Sequence, residues 1–163
     1  MLKTSESKFV IAIDPHKEHC DYVMFLDNKI ISVAKERTNQ GILKQKHKLC
    51  NDNSVAIIEG GWLGKNPKQN IEQCILIGRL YQSFWSIGYR VILVPSWGPS
   101  CWQRMILASG NGYKVPSRKD TAKMAVIRAK ADHPNQDWDE HTASAYCMAQ
   151  WYFSLLKVGH NFG

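Results

Sequence analysis

The sequence has no apolar run approaching the ~18 residues that a membrane-spanning helix needs. Met1 to Lys8 is polar and carries no apolar core of a signal peptide, so neither export nor anchoring is expected. Cysteine is sparse and unpatterned: Cys20, Cys50, Cys74, Cys101 and Cys147 form no C-x-x-C pair. An odd, scattered set excludes a disulfide scaffold or a zinc module and suits a reduced, intracellular, cytoplasmic protein. Repeats, low-complexity tracts and linkers are absent, and residues 1–163 read as one domain with a full-sized core. Acidic residues are in the minority, 14 Asp and Glu against 21 Lys and Arg, which leaves a formal charge of +7. That excess points to a polyanionic partner and says nothing about fold. With 44% apolar residues the chain is globular rather than disordered.

What is present begins with Phe9-Val10-Ile11-Ala12-Ile13-Asp14, a short β-branched apolar run ending on a carboxylate before Pro15. It reads as a buried strand whose last side chain leaves the sheet edge, where sites of sheet-centred folds sit. Ser54-Val55-Ala56-Ile57-Ile58-Glu59 repeats that design. Between them, Tyr22–Leu26 and Ile30–Ala34 flank the turn signal Asp27-Asn28-Lys29, which predicts an antiparallel meander of three strands. Residues Asn39 to Leu49 are helix-compatible. Gly60 to Pro67 form a flexible, aromatic-bearing loop. The apolar positions Ile71, Cys74, Ile75, Ile77, Leu80, Tyr81, Phe84 and Trp85 predict a helix from Lys68 to Ile87, with Gly88 as its stop. Arg90–Val94 is a further strand, and Trp97 to Leu107 a short helix. Ala108 to Pro116 form a glycine-bearing loop. Ser117 caps a helix to about Ala131, and Asp137 or Asp139 opens a last one to about Lys157. The expected architecture is α/β: a five-stranded mixed sheet, antiparallel on one side and parallel on the other, flanked by helices.

Two strands delivering Asp14 and Glu59 to one edge would make a pocket for a hard divalent cation. Two Mg²⁺ ions about 3.5–4 Å apart serve in-line phosphoryl displacement when acids from separate elements converge. A strand-end acid taken alone is more often a solvated cap, and only the matched pair shifts that balance. The third contribution would come from Asp137 to Trp151, where His141, Ser144 and Met148 share a helical face. His141 is a metal ligand or a base near neutral pH, or else a surface imidazole at a helix start. Asp137, Asp139 and Glu140 have a simpler role to hand, capping the helix and complementing its dipole.

Taken in order, four segments resemble the RuvC family of Holliday-junction resolvases, within the ribonuclease H-like superfamily, in the compact form found in phages and bacteria. They are Ile11-Ala12-Ile13-Asp14-Pro15; Ala56-Ile57-Ile58-Glu59 with its Gly- and Lys-bearing loop; Val94-Pro95-Ser96-Trp97 through Trp102-Gln103, the glycine loop and Arg118-Lys119-Asp120-Thr121-Ala122; and Asp139-Glu140-His141-Thr142-Ala143-Ser144-Ala145. The resemblance spans almost the whole chain. It implies a ribonuclease H-like fold and a homodimeric, Mg²⁺-dependent endonuclease (Mn²⁺ as substitute, two ions per site). Such an enzyme cuts four-way DNA junctions and leaves 5′-phosphate and 3′-hydroxyl ends. By position, Asp14 and Glu59 correspond to metal ligands, His141 to a position that is Asp or His in the family, and Lys119 to the basic residue beside the scissile phosphate.

The sequence departs from the family at one point, where Ser144 stands for its last acid. A neutral hydroxyl is a poor Mg²⁺ ligand. Either Glu140 or Asp139 takes its place, or the site works with fewer acids, or the chain is inactive. DNA contacts are expected from Lys65, Lys68, Lys114, Arg118, Lys119 and Lys123, with Trp62 as a wedge or stacking residue. The lysines also suit a solvated face, and Trp62 a packing anchor. The stripe from Ile71 to Trp85 is either a dimer seam or a face buried on the sheet. The rival readings are a catalytically weakened junction-binding protein, a transposase-type RuvC-like domain and, last, an actin-fold phosphotransferase. The last needs a Gly-rich turn after the first Asp, where this chain has Pro15-His16-Lys17-Glu18-His19.

Overall fold

The computed structural model describes residues 8–15, 19–38, 53–60, 66–96, 100–107 and 117–162. Strands β1 (Phe9–Pro15), β2 (His19–Leu26), β3 (Lys29–Thr38), β4 (Val55–Glu59) and β5 (Arg90–Val94) form one sheet in the order β3-β2-β1-β4-β5. The first three pair antiparallel, whereas β1–β4 and β4–β5 are parallel. This is the expected mixed sheet. Helix α1 (Pro67–Ser86) lies on one face, and α2 (Arg118–Asp132) and α3 (Glu140–Lys157) belong to the other.

Alternation along the strands divides the core in two. Phe9, Ile11, Ile13, Ala56 and Ile58 pack with Ile77, Leu80 and Phe84 of α1. Val10, Ala12, Val55 and Ile57 face the other way, onto Tyr146, Met148 and Ala149 of α3. Every residue of β1 is buried, as befits a central strand covered on both faces. The hairpin to β3 turns at Asp27 and Asn28, whose φ angles of 49° and 66° are those of a tight hairpin turn. Asp27 Oδ1 also accepts from the Lys8 backbone N–H at 2.8 Å, which fastens the start of β1.

Several boundaries differ from expectation. Strand β2 starts at His19 rather than Tyr22, because Cys20 and Asp21 continue the ladder opposite Pro15 and Asp14. Strand β3 runs on to Thr38 through two register irregularities that let it keep pairing with β2. The helix expected over Trp97 to Leu107 is, among the described residues, a π-helical turn at Gln103–Leu107. Of the two expected caps, Asp139 is the one used: helix α3 starts at Glu140, and Asp137 lies outside it. Its carboxylate meets Lys35 Nζ of β3 at 2.8 Å instead. The helix-compatible stretch Asn39 to Leu49 lies outside the described residues.

Ile57 is completely buried between β1 and β5, on the face toward α3. Ile57→Ala should therefore cost ~2–5 kcal/mol in denaturant unfolding, from lost transfer energy and the cavity left behind.

Candidate active site

Parallel pairing sets the site. The ladder matches Ile13 with Ile58, so Asp14 and Glu59 are the next residues on neighbouring strands about 4.8 Å apart. Both follow by two positions a residue of the α3-side core, Ala12 and Ile57 respectively, and so belong to the α3 face of the sheet. Each carboxylate is held from that side. His141 Nδ1 lies 3.0 Å from Asp14 Oδ2, and Trp102 Nε1 donates to Glu59 Oε1 at 3.1 Å. Of the expected site residues Asp14, Glu59 and His141, the fold brings Asp14 to both others.

The chain beyond Glu59 is fixed by Gly60. Its N–H donates to the Val94 carbonyl at 2.8 Å, and its own carbonyl accepts from Ser96 Oγ at 3.0 Å. A Cβ at this position would stand 2.8 Å from the Val94 oxygen, a backbone atom that cannot swing aside. Glycine is required here for close approach, and at this residue the expected flexible loop is anchored.

His141 is placed by the start of α3. Asp139 Oδ1 accepts from the backbone N–H groups of His141 at 3.1 Å and Thr142 at 2.8 Å, closing a capping box with Thr142. Lys35 Nζ lies 3.6 Å from the other Asp139 oxygen, which ties this cap to β3. The Asp139 carboxylate is thus occupied as a cap, which argues against its standing in for the acid missing at Ser144. Glu140 is exposed, and its backbone carbonyl accepts from Ser144 Oγ at 2.8 Å. The Ser144 hydroxyl is therefore turned back onto its own helix.

The electrostatics favour a cationic imidazole. The hydrogen bond to Asp14 raises the His141 pKa above its usual value; partial burial opposes this, and the charges of Asp14, Asp21 and Asp139 add to it. Sequence reasoning missed Asp21, a nearly fully buried acid directly opposite Asp14. The alternation Asp21-x-Val23-x-Phe25 was the signal available for it.

Of the expected DNA-contacting residues, Lys119 and Lys123 are exposed on α2, and Lys68 is exposed in the first turn of α1. The Arg118 backbone opens α2, but its side chain lies outside the described residues, as do Trp62, Lys65 and Lys114. Among the described residues no helix is long and apolar enough to cross a membrane.

The donor set of Asp14 and Glu59, hard carboxylate oxygens on adjacent strand ends, fits a divalent cation in chemical kind. Yet among the described residues no three acidic, thiol or imidazole groups converge closely enough to hold one. One oxygen of each carboxylate is already engaged, by His141 and by Trp102.

The raised His141 pKa has a definite sign. A native state that holds the imidazole proton gains stability that is fully present below the unfolded imidazole pKa. That gain is lost as pH rises through the higher folded pKa. NMR titration should find His141 above the usual imidazole range, and Asp14→Asn should lower it. An unchanged value in the variant contradicts the pairing. Gly60→Ala should lower the unfolding midpoint and shift the backbone resonances of Glu59 and Val94.

No protein-family model and no curated protein matches the sequence. Solved structures do match the fold. Thermus thermophilus RuvC superposes with a TM-score of 0.63 at 15% sequence identity, covering 93% of this chain and 96% of that one. T. thermophilus RuvC in complex with Holliday junction substrate gives a TM-score of 0.66 at 13% identity, with the same coverage of 93% and 96%. The chain therefore shares the fold of these RuvC structures, five strands of mixed direction with helices on both faces.

Proposed function

We propose that the chain is a divalent-cation-dependent endonuclease that resolves four-way DNA junctions, working as one nuclease domain in a homodimer. The observation that carries this reading is the pairing of Asp14 and Glu59 at the ends of parallel β1 and β4, on a fold matching RuvC over 93% of the chain. A matching structure is described as a complex with Holliday junction substrate. The formal charge of +7 supports a nucleic-acid partner.

Asp14 and Glu59 would hold Mg²⁺ or Mn²⁺, in the two-ion arrangement the family resemblance implies. When bound, such ions supply charge stabilisation at the scissile phosphate and activation of the attacking water. The remaining work falls to the chain itself. Trp102 fixes the rotamer of Glu59 by its indole N–H, and Gly60 fixes the backbone beside it. His141 is hydrogen-bonded to Asp14 and would hold a proton within reach of the same edge. Lys68, Lys119 and Lys123, with Lys65, Lys114 and Arg118, would take DNA phosphates. Lys119 is assigned to the scissile one, and Trp62 to an opened branch point. Hydrolysis would leave 5′-phosphate and 3′-hydroxyl ends.

The dimer reading rests on α1. Ile77, Leu80 and Phe84 are buried on the sheet, while Ile71, Ile75 and Trp85 are exposed, Trp85 by 60%. The stripe is thus divided between the two roles expected of it, and its outer half is the proposed seam. A reducing intracellular setting accords with Cys20, Cys74, Cys101 and Cys147, which form no disulfide among the described residues.

A second reading, a junction binder with a weakened centre, is favoured by Ser144. Its hydroxyl is satisfied by the Glu140 carbonyl and adds no charge to the site. Glu140 remains the replacement acid compatible with the structure, since it is exposed in the same turn.

Cleavage of a labelled four-way junction in Mg²⁺ separates these readings. The nuclease reading predicts nicks that Asp14→Asn abolishes by about 10²-fold or more, the scale of lost transition-state charge stabilisation. Ser144→Asp should raise the rate. Retarded but uncut DNA at every Mg²⁺ concentration, with cutting restored by Ser144→Asp, selects the binder.

A further inference from the structure

The segment that enters the π-helical turn is tied at two points. Trp102, whose indole N–H reaches Glu59 Oε1 at 3.1 Å, is 2% exposed. Two residues earlier, the Ser100 carbonyl accepts from Trp151 Nε1 at 3.0 Å, and Trp151 of α3 is 4% exposed. Cys101, between them, is completely buried. Trp102 and Trp151 belong to the same α3-side core as Ile106 and Leu107. A buried indole N–H is costly to leave unpaired, so each bond constrains the group that accepts it. The two bonds are joined by three consecutive residues: Trp151 holds the backbone at Ser100, and the backbone there aims Trp102. Helix α3 thus engages both acids. His141 meets Asp14 directly, and Trp151, about 15 Å further along the helix axis, reaches Glu59 through the Ser100–Trp102 segment. Phe162 packs edge-on against the Trp151 ring, centroids 5.8 Å apart, which restricts the indole further.

We propose that Trp151 is a positioning residue for Glu59. Its indole N–H fixes the Ser100 carbonyl and with it the placement of Trp102, whose own N–H donates to Glu59 Oε1. Trp151 acts only through these groups. The consequence for catalysis rests on the nuclease reading above, whereas the coupling between the two indoles stands on the hydrogen bonds themselves. It gives α3 a second role, since one helix then holds the strand-end acid of β1 at its start and that of β4 from further along.

The test is the Trp102 indole N–H signal of ¹⁵N-labelled protein without DNA, assigned among the six tryptophans by Trp102→Phe. Glu59→Gln shows how that signal responds to a weaker acceptor. Trp151→Phe should move it in the same direction and speed its hydrogen exchange about fivefold or more, the scale of one hydrogen bond. Trp138→Phe is the matched control, because it too removes a buried indole N–H bonded to a backbone carbonyl, that of His133 at 3.1 Å. It should leave the Trp102 signal in place. A Trp102 signal unmoved by Trp151→Phe, or moved equally by Trp138→Phe, overturns the proposal. Should Trp151→Phe fail to fold, benzothienylalanine at position 151 keeps the bicyclic shape and lacks the N–H, and the same criteria apply. Cleavage of a labelled four-way junction reads the consequence. Trp151→Phe should lower kcat about fivefold at unchanged KM, and adding it to Trp102→Phe should cost nothing further. Losses that add in the double variant overturn the proposal. If the unsubstituted protein never cuts, the nuclease reading fails and the Trp102 signal alone decides the role of Trp151. If it cuts and the signal does not respond, only the role of Trp151 is wrong.

Discussion

A carboxylate buried at the end of the central strand needs a cation. Asp14 is 9% exposed, flanked in the sheet by Asp21 on one side and by the β4 strand that ends in Glu59 on the other. Removing such a charge from water is costly unless it is paired and hydrogen-bonded. The fold answers with the start of α3, where His141 reaches Asp14 at 3.0 Å and the positive end of the helix dipole lies close by. The capping box of Asp139 and Thr142 and the Lys35 contacts that tie Asp137 and Asp139 to β3 all hold that helix start in place. Much of the local structure can be read as the means of keeping an anionic edge folded.

The same edge has the opposite requirement if it is to act. An acidic edge already engaged by His141 and Trp102 offers only part of its oxygen surface to an incoming ion. Asp14 and Glu59 each have at least one oxygen held by the protein, and no three donors converge among the described residues. Binding an ion would then mean a local rearrangement around His141, small in distance but not in energy. Stability and activity draw on the same negative charges in different ways. Rigid backbone supports on the β4 side, Gly60 on Val94 and Ser96 on Gly60, limit that rearrangement to side chains.

Much of this was legible in the sequence. The apolar runs ending at Asp14 and Glu59 identified both strands and both acids, because a buried strand tolerates a charge only where it leaves the sheet. The hairpin at Asp27-Asn28 and the caps at Ser117 and Asp139 were readable from local chemistry. Long-range relations were not. That Trp102 would hold Glu59 depends on Trp102 and the turn after it packing into the α3-side core, and nothing local in Trp102-Gln103 encodes it. His19-Cys20-Asp21 has the polarity of a loop, yet pairing with β1 extends β2 through it. Asp137 and Asp139 are equally good caps by local chemistry; Asp139 fills that place, and Lys35 pairs with Asp137. The division of α1 into a buried and an exposed half is a tertiary outcome that periodicity shows only as one broad stripe.

Crystals soaked in Mn²⁺ and measured at its absorption edge would examine the central idea most directly, namely that strand-end acids gathered by a parallel pair form a cation site. The account predicts an anomalous peak between Asp14 and Glu59, at about 2.0–2.2 Å from a carboxylate oxygen of each, the range expected for small hard divalent ions. Saturating Mn²⁺ with no peak at these two residues, and Asp14 still bonded to His141, would contradict it.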